Sequence, residues 1–178
     1  SPPVIRASLP MEPHYEGDGL AVSRDGTRIV YAAVGNGLRQ LYVRALSEMA
    51  AYPLAGTDAA TEPFFSYDGK WVGFFANGKL KKVALGGGAP QTICDAIGKL
   101  GATWAPDNTI FFTPSTGEGI WTVSADGGKP RALTTPDREA QEKSHRFPEL
   151  LPGGRAILFY THFTEMSSLD DARIEALS

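Results

Sequence analysis

The chain writes one turn four times. Ser23-Arg24-Asp25-Gly26, Ser66-Tyr67-Asp68-Gly69, Ala105-Pro106-Asp107-Asn108 and Leu151-Pro152-Gly153-Gly154 each close one short apolar run and open another. Counted at the third turn position, the copies fall at 25, 68, 107 and 153, in steps of 43, 39 and 46 residues. A unit recurring at such a period buries its apolar surface against its neighbours, so the period decides the architecture before any single residue does.

The contents of one unit are clearest between Pro63 and Gly88, PFFSYDGKWVGFFANGKLKKVALGGG. Phe64-Phe65 precedes the Asp68-Gly69 turn, and the aromatic and β-branched run Trp71, Val72, Phe74 and Phe75 follows it. Asn77-Gly78 then stands where a two-residue type I′ hairpin needs positive φ at both central positions. A third strand starts at Lys79 and is broken by Gly86-Gly87-Gly88. No window repeats apolar residues at helical spacing, and 20 glycines and 13 prolines suit many short strands and turns rather than helices.

The same order of strands can be placed in every copy. Inner strands precede the turns at Leu20–Ser23, Pro63–Ser66, Ala102–Ala105 and Phe147–Leu151, and second and third strands follow as a hairpin. Outer strands fall at Ala51–Leu54, Pro90–Ile93 and Pro130–Leu133, where proline is tolerated because an edge strand need not donate every N–H. Four short antiparallel strands per unit of about 40–45 residues are the spacing of a β-propeller blade. The expected fold is therefore all-β: a propeller of roughly four blades of four antiparallel strands, partial, with its last blade incomplete. Residues 1–18 form an N-terminal segment, followed by blades at 19–60, 61–100, 101–143 and 144–178. Ala172 to Leu177 reads as the third strand of the fourth blade, so either the chain is a piece of a longer propeller, the favoured expectation, or Val4–Leu9 supplies the missing strand and closes a small ring. An uncovered blade face and edge predict self-association.

Face-to-face blades need bulky residues between them. Phe65, Trp71, Phe74, Trp104, Phe111, Trp121 and Phe159 are expected to fill those layers. Cys94, the one cysteine, reads as an inert strand residue, and Lys79, Lys81 and Lys82 read as a solvated strand face.

The units SRDGTRIVYAA, SYDGKWVGFFANGKLKKVALGGG and APDNTIFFTPSTGEGIWTVSADGGKPRALT resemble the TolB-type, WD40-like (PD40) propeller repeat, with its Ser-Pro-Asp-Gly-like turn and an outer strand ending as Ala132-Leu133-Thr134 does. Within that superfamily, PFFSYDGKWVGFFANGKLKKV and SHRFPELLPGGRAILF are most similar to the extracytoplasmic sensor propellers of bacterial serine/threonine kinases. The resemblance implies an extracytoplasmic location, periplasmic or at the cell surface, and a recognition role. No copy keeps the full turn: Arg24 and Tyr67 replace proline, Asn108 replaces glycine and Gly153 replaces aspartate. No kinase loop is present, so no kinase activity is carried over.

Catalytic and metal spacings are missing as well. The sequence has no GxSxG, no GxxxxGK[ST], no HExxH and no Cys-x-x-Cys, so this chain is not expected to be an enzyme or to hold a cofactor or metal. Asp170-Asp171 with Glu165 reads as a solvated acidic loop rather than a cation site. A net charge of −3 and a pI near 5.6 exclude nucleic acid as a partner, and no apolar run is long enough for membrane insertion.

What remains is binding at the mouth of the central channel, where connections between blades collect. The candidates are Ser144, His145 and Arg146 ahead of the fourth blade, with Thr61, Glu62 and Lys99 at comparable positions. The expected partner is a protein, a peptide or a small ligand. Two other readings of the same repeats remain open: a propeller gating a prolyl-oligopeptidase-like hydrolase, and a TolB-like periplasmic scaffold.

Overall fold

The computed structural model describes residues 15–35, 37–165 and 172–178. Val4–Leu9, Asn36, Asp170 and Asp171 lie outside the described residues, and with them the proposed closing strand and the acidic loop.

The described residues form strands and turns without helix, in four separate antiparallel sheets. The first contains β1 (Tyr15–Val22), β2 (Arg28–Gly35), β3 (Leu38–Ala45) and β4 (Tyr52–Pro53). The second contains β5 (Thr61–Phe65), β6 (Trp71–Ala76), β7 (Lys79–Ala84) and β8 (Gln91–Asp95). The third contains β9 (Ala102–Trp104), β10 (Thr109–Phe112), β11 (Trp121–Ser124) and β12 (Arg131–Ala132). The fourth holds β13 (Glu142–Leu150), β14 (Ile157–Phe163) and β15 (Arg173–Leu177). Strands pair in sequence order within each sheet, and the inner strands touch from one sheet to the next, β1 on β5, β5 on β9 and β9 on β13. This is the radial fan of a β-propeller, with the fourth sheet ending at its third strand among the described residues. Two inner strands begin well before their expected starts: β1 at Tyr15 rather than Leu20, and β13 at Glu142 rather than Phe147.

The first three turns are held by their own side chains. Ser23 Oγ donates to Asp25 Oδ1 at 2.5 Å and accepts from Arg28 N at 2.9 Å, while Asp25 also accepts from Thr27 N at 3.0 Å. Ser66 and Asp68 repeat the arrangement with Trp71 N and Lys70 N. The third copy keeps only the Asp107 bond to Thr109 N, because Ala105 has no hydroxyl. The Ser23 hydroxyl and the Thr27 N–H hold the Asp25 carboxyl down at about 2. At the Asn77-Gly78 hairpin both residues have positive φ, 53° and 71°, as a type I′ turn requires.

Three apolar layers lie between successive blades. Val30, Val43, Val72 and Phe74 fill the first, Phe64, Phe75, Trp104 and Phe112 the second, and Ala105, Ile120, Leu150 and Phe159 the third. Of the aromatics expected there, Phe74, Trp104 and Phe159 are buried, and Phe65, Trp71, Phe111 and Trp121 are packed against the layers while partly exposed. Burying a ring such as Phe74 contributes about 1.5–3 kcal/mol. The lysine face expected on β7 is not solvated throughout. Lys82 is buried, with Nζ 3.1 Å from Asp126 Oδ1 on the third blade and 4.9 Å from the centre of the Trp71 ring. Period-two alternation assigns a lysine to a face but cannot tell whether the next blade covers that face.

Candidate functional site

Each inner strand carries one residue in the left-handed region, or in β9 directly follows one, six positions ahead of the third residue of its turn. These are Gly19 at φ +99°, Glu62 at +47°, Gly101 at +83° and Phe147 at +50°. In β1, β5 and β13 the pairing register shifts around that residue, between Tyr15 and Leu20, Thr61 and Phe64, and Arg146 and Glu149. Such bulges bend a strand and re-aim its side chains. The two bulky members stand opposite the two glycines. A Cβ on Gly19 would be 2.7 Å from Glu62 Cα, and one on Gly101 would be 2.8 Å from Phe147 Cα. Phe147 N also donates to Leu100 O at 2.8 Å, tying the fourth inner strand to the third.

Inside this ring lies a cleft of about 510 Å³ lined by all four inner strands and the turns that follow the first two. Its charged groups are Arg24, Glu62 and Glu149, and its aromatic ones include Tyr67 and Phe147. Arg24 and Tyr67, the two residues that replace proline in the repeated turn, meet here, with the guanidinium 4.3 Å from the ring centre. Phe147 is 45% exposed and stacks on Tyr160, centroids 5.7 Å apart at 14°. Recession into the cleft pushes the Glu149 carboxyl above its ordinary range, and the positive charge of Arg24 only partly offsets this. The cleft therefore offers two carboxyl groups, a guanidinium and aromatic faces around a concave space large enough for side chains of a bound segment.

The structure separates the six residues picked out in the sequence. Glu62 lines the cleft. Thr61 is buried, its hydroxyl 3.4 Å from Phe75 O, and Lys99 is exposed on the connection between β8 and β9. Ser144 and His145 do not sit in a loop at the channel mouth. Both are buried within β13, and Arg146 Nε donates to Ser144 Oγ at 2.6 Å. His145 is the pin of the seam between blades three and four. Its Nδ1 lies 2.7 Å from Thr134 Oγ1, its Nε2 lies 3.1 Å from Glu142 Oε2, its carbonyl accepts from Thr113 Oγ1 at 2.9 Å, and its N donates to Glu118 O at 3.1 Å. The Glu142 carboxylate only accepts, so Nε2–H donates to it, and in the neutral ring Nδ1 is then the acceptor of the Thr134 hydroxyl, whose oxygen accepts from Ile120 N at 2.8 Å. Burial opposes ionisation of Glu142, but the Asp137 N–H and the His145 ring outweigh it and hold the carboxyl below its ordinary range. β13 enters its blade five residues before its expected start and so draws His145 into the seam.

Arg24, Tyr67, Phe147 and Glu149 are not among the residues that motif spacing marks, although the sequence carries a signal for them. The offset of six from each turn is constant, but glycine at two copies and bulky residues at the other two conceal a shared backbone conformation. Among the described residues no group of three or more His, Cys, Asp or Glu is placed to hold a metal ion, and no helix is long and apolar enough to cross a membrane.

No protein-family model matches the sequence, and no curated protein matches it. Solved structures do. The putative TolB from Agrobacterium tumefaciens aligns with a TM-score of 0.74 at 20% identity, over 89% of this chain and 60% of that one. TolB from Acinetobacter baumannii gives 0.62 at 18%, over 83% and 38%. A chain of a Nidogen/Laminin complex gives 0.66 at 13%, over 89% and 59%. This chain thus spans about 60% and 38% of the lengths of the two TolB proteins it resembles. At such identities the likeness speaks to architecture: the chain folds as a β-propeller similar to that of TolB.

Proposed function

We propose that this chain is a non-catalytic recognition propeller that binds a protein or peptide partner in its central cleft. The observation that carries the reading is the cleft itself, where Arg24 on Tyr67, Glu149 and the exposed ring of Phe147 converge within about 510 Å³. Two of the strained backbone positions in the ring, Glu62 and Phe147, are not glycine, and strain of this kind is held where a surface must present particular side chains. The chain similar to this one in the Nidogen/Laminin complex belongs to a structure of two proteins bound together, which favours a protein over a small molecule. The finer reading, an extracytoplasmic sensor or a TolB-like scaffold, rests on the repeat resemblance, and the gene sequence flanking the chain decides between them.

The test is a photo-crosslinking residue at Phe147, with a second at Lys129 on the periphery as control, in cells of the source organism. A partner captured from position 147 and not 129, and lost in Arg24→Ala and Glu149→Gln, supports the cleft. Equal capture at both positions, or capture indifferent to both substitutions, refutes it. His145→Ala is not a binding test, because His145 is a buried seam residue.

A further inference from the structure

A second concavity, about 640 Å³, opens at the outer side of the seam between blades two and three, away from the central cleft. Phe112, fully buried, forms its floor, and Cys94 and Trp121 stand in its walls. Ile97, 78% exposed, stands at the rim. Burial pushes the Cys94 thiol up to about 11, so it stays protonated and serves as an apolar wall.

The charged groups in its lining have one sign. Asp95 and Glu118 line the groove and no cationic side chain does. Asp95 is paired with Lys79. Glu118 accepts from Trp121 Nε1 through Oε2 at 3.3 Å, and its Oε1 has no hydrogen-bond donor among the described residues. One wall is also a strand edge. β8 is the last strand of its sheet, five residues long where β4 and β12 have two, and no further strand pairs with it among the described residues. Edges of this kind accept an added strand, with main-chain bonds giving affinity and pockets for alternate side chains giving selectivity.

We propose that this groove binds an extended segment of a partner protein, seating an apolar side chain between Trp121 and Ile97 and placing a lysine or arginine two residues away on Glu118. Residues two apart in an extended chain share a face, which matches a pocket with an apolar floor and a carboxylate at its margin. An acidic segment would face the Glu118 carboxylate and is rejected. The site is independent of the central cleft and stands or falls without it.

The probe is a capped hexapeptide of serines carrying leucine and lysine two residues apart, compared with the same peptide bearing glutamate for lysine. Binding is followed by nitrogen-15 resonances of the labelled chain, with the Trp121 indole signal assigned through Trp121→Phe. The expected result is a saturable shift of that signal with the lysine peptide, unmoved signals at Tyr67 and Phe147, and affinity about tenfold lower in Glu118→Gln, the value of one charge-assisted hydrogen bond. Ile97→Ser, at an exposed position, lowers affinity without touching the core. A Trp121 signal that does not move, an equal response to the glutamate peptide, or shifts centred on the central cleft overturns the proposal.

Discussion

Gly101 and Phe147 approach so closely that a Cβ on the glycine would lie 2.8 Å from the Cα of the phenylalanine, and both residues hold positive φ. Gly19 and Glu62 repeat the relationship between the first two blades. The inner ring is thus built in pairs, each of one residue without a side chain and one that presents a side chain.

Gly101→Ala meets both penalties, a left-handed backbone and a collision with main chain. It is expected to cost about 2 kcal/mol or more in urea unfolding. Gly86→Ala, with ordinary φ and open space around it, should change stability by less than about 0.5 kcal/mol. Equal midpoints for the two variants would show that the inner strands are not in contact here.

The seam pinned by His145 predicts a second asymmetry. Thr134→Val removes the donor to Nδ1 and the acceptor of Ile120 N–H, leaving buried groups unpaired at a cost of about 1–3 kcal/mol, whereas Thr134→Ser keeps the hydroxyl and most of the stability. Thermal unfolding measures both. Binding at the central cleft should survive in whatever fraction stays folded, since none of Thr134, His145 and Glu142 lines it.

Stability should fall with acid in two windows. Burial, reinforced by the charges of Arg146 and Lys143, holds the His162 ring below its ordinary 6.5. The unfolded chain therefore takes up that proton first, and stability declines as pH drops below about 6.5. Asp25, near 2 against an ordinary 3.8, and Asp68, also lowered, contribute stability that is present above 3.8 and lost as pH falls toward 2. In urea midpoints measured against pH, His162→Gln should flatten the upper window, and Asp25→Asn with Asp68→Asn the lower one.

The last described strand predicts association. β15 is the edge of its sheet among the described residues, and Ile174 on it is 73% exposed. Light scattering should show mass rising with concentration, and Ile174→Lys should suppress the rise, because a charge on an edge strand opposes pairing. A strictly monomeric chain at high concentration would contradict the prediction.

The repeated turn, the hairpin at Asn77-Gly78 and the order of strands could all be read from residue types, because each depends on local physics: side chains bonding their own backbone, positive φ at asparagine and glycine, and alternation along a strand. Which blade face is covered could not. Lys82 reads as a surface residue in its strand and lies buried against Trp71 and Asp126, and His145 reads as a loop residue and stands in a seam. The same limit applied to the cleft. Arg24, Tyr67, Phe147 and Glu149 come from three different repeats, and only the packing of one inner strand on the next brings them together. A sequence determines the sheet through neighbours a few residues apart, whereas a site at the axis is made by residues of different repeats, Arg24 and Glu149 among them, whose meeting depends on how the blades stack.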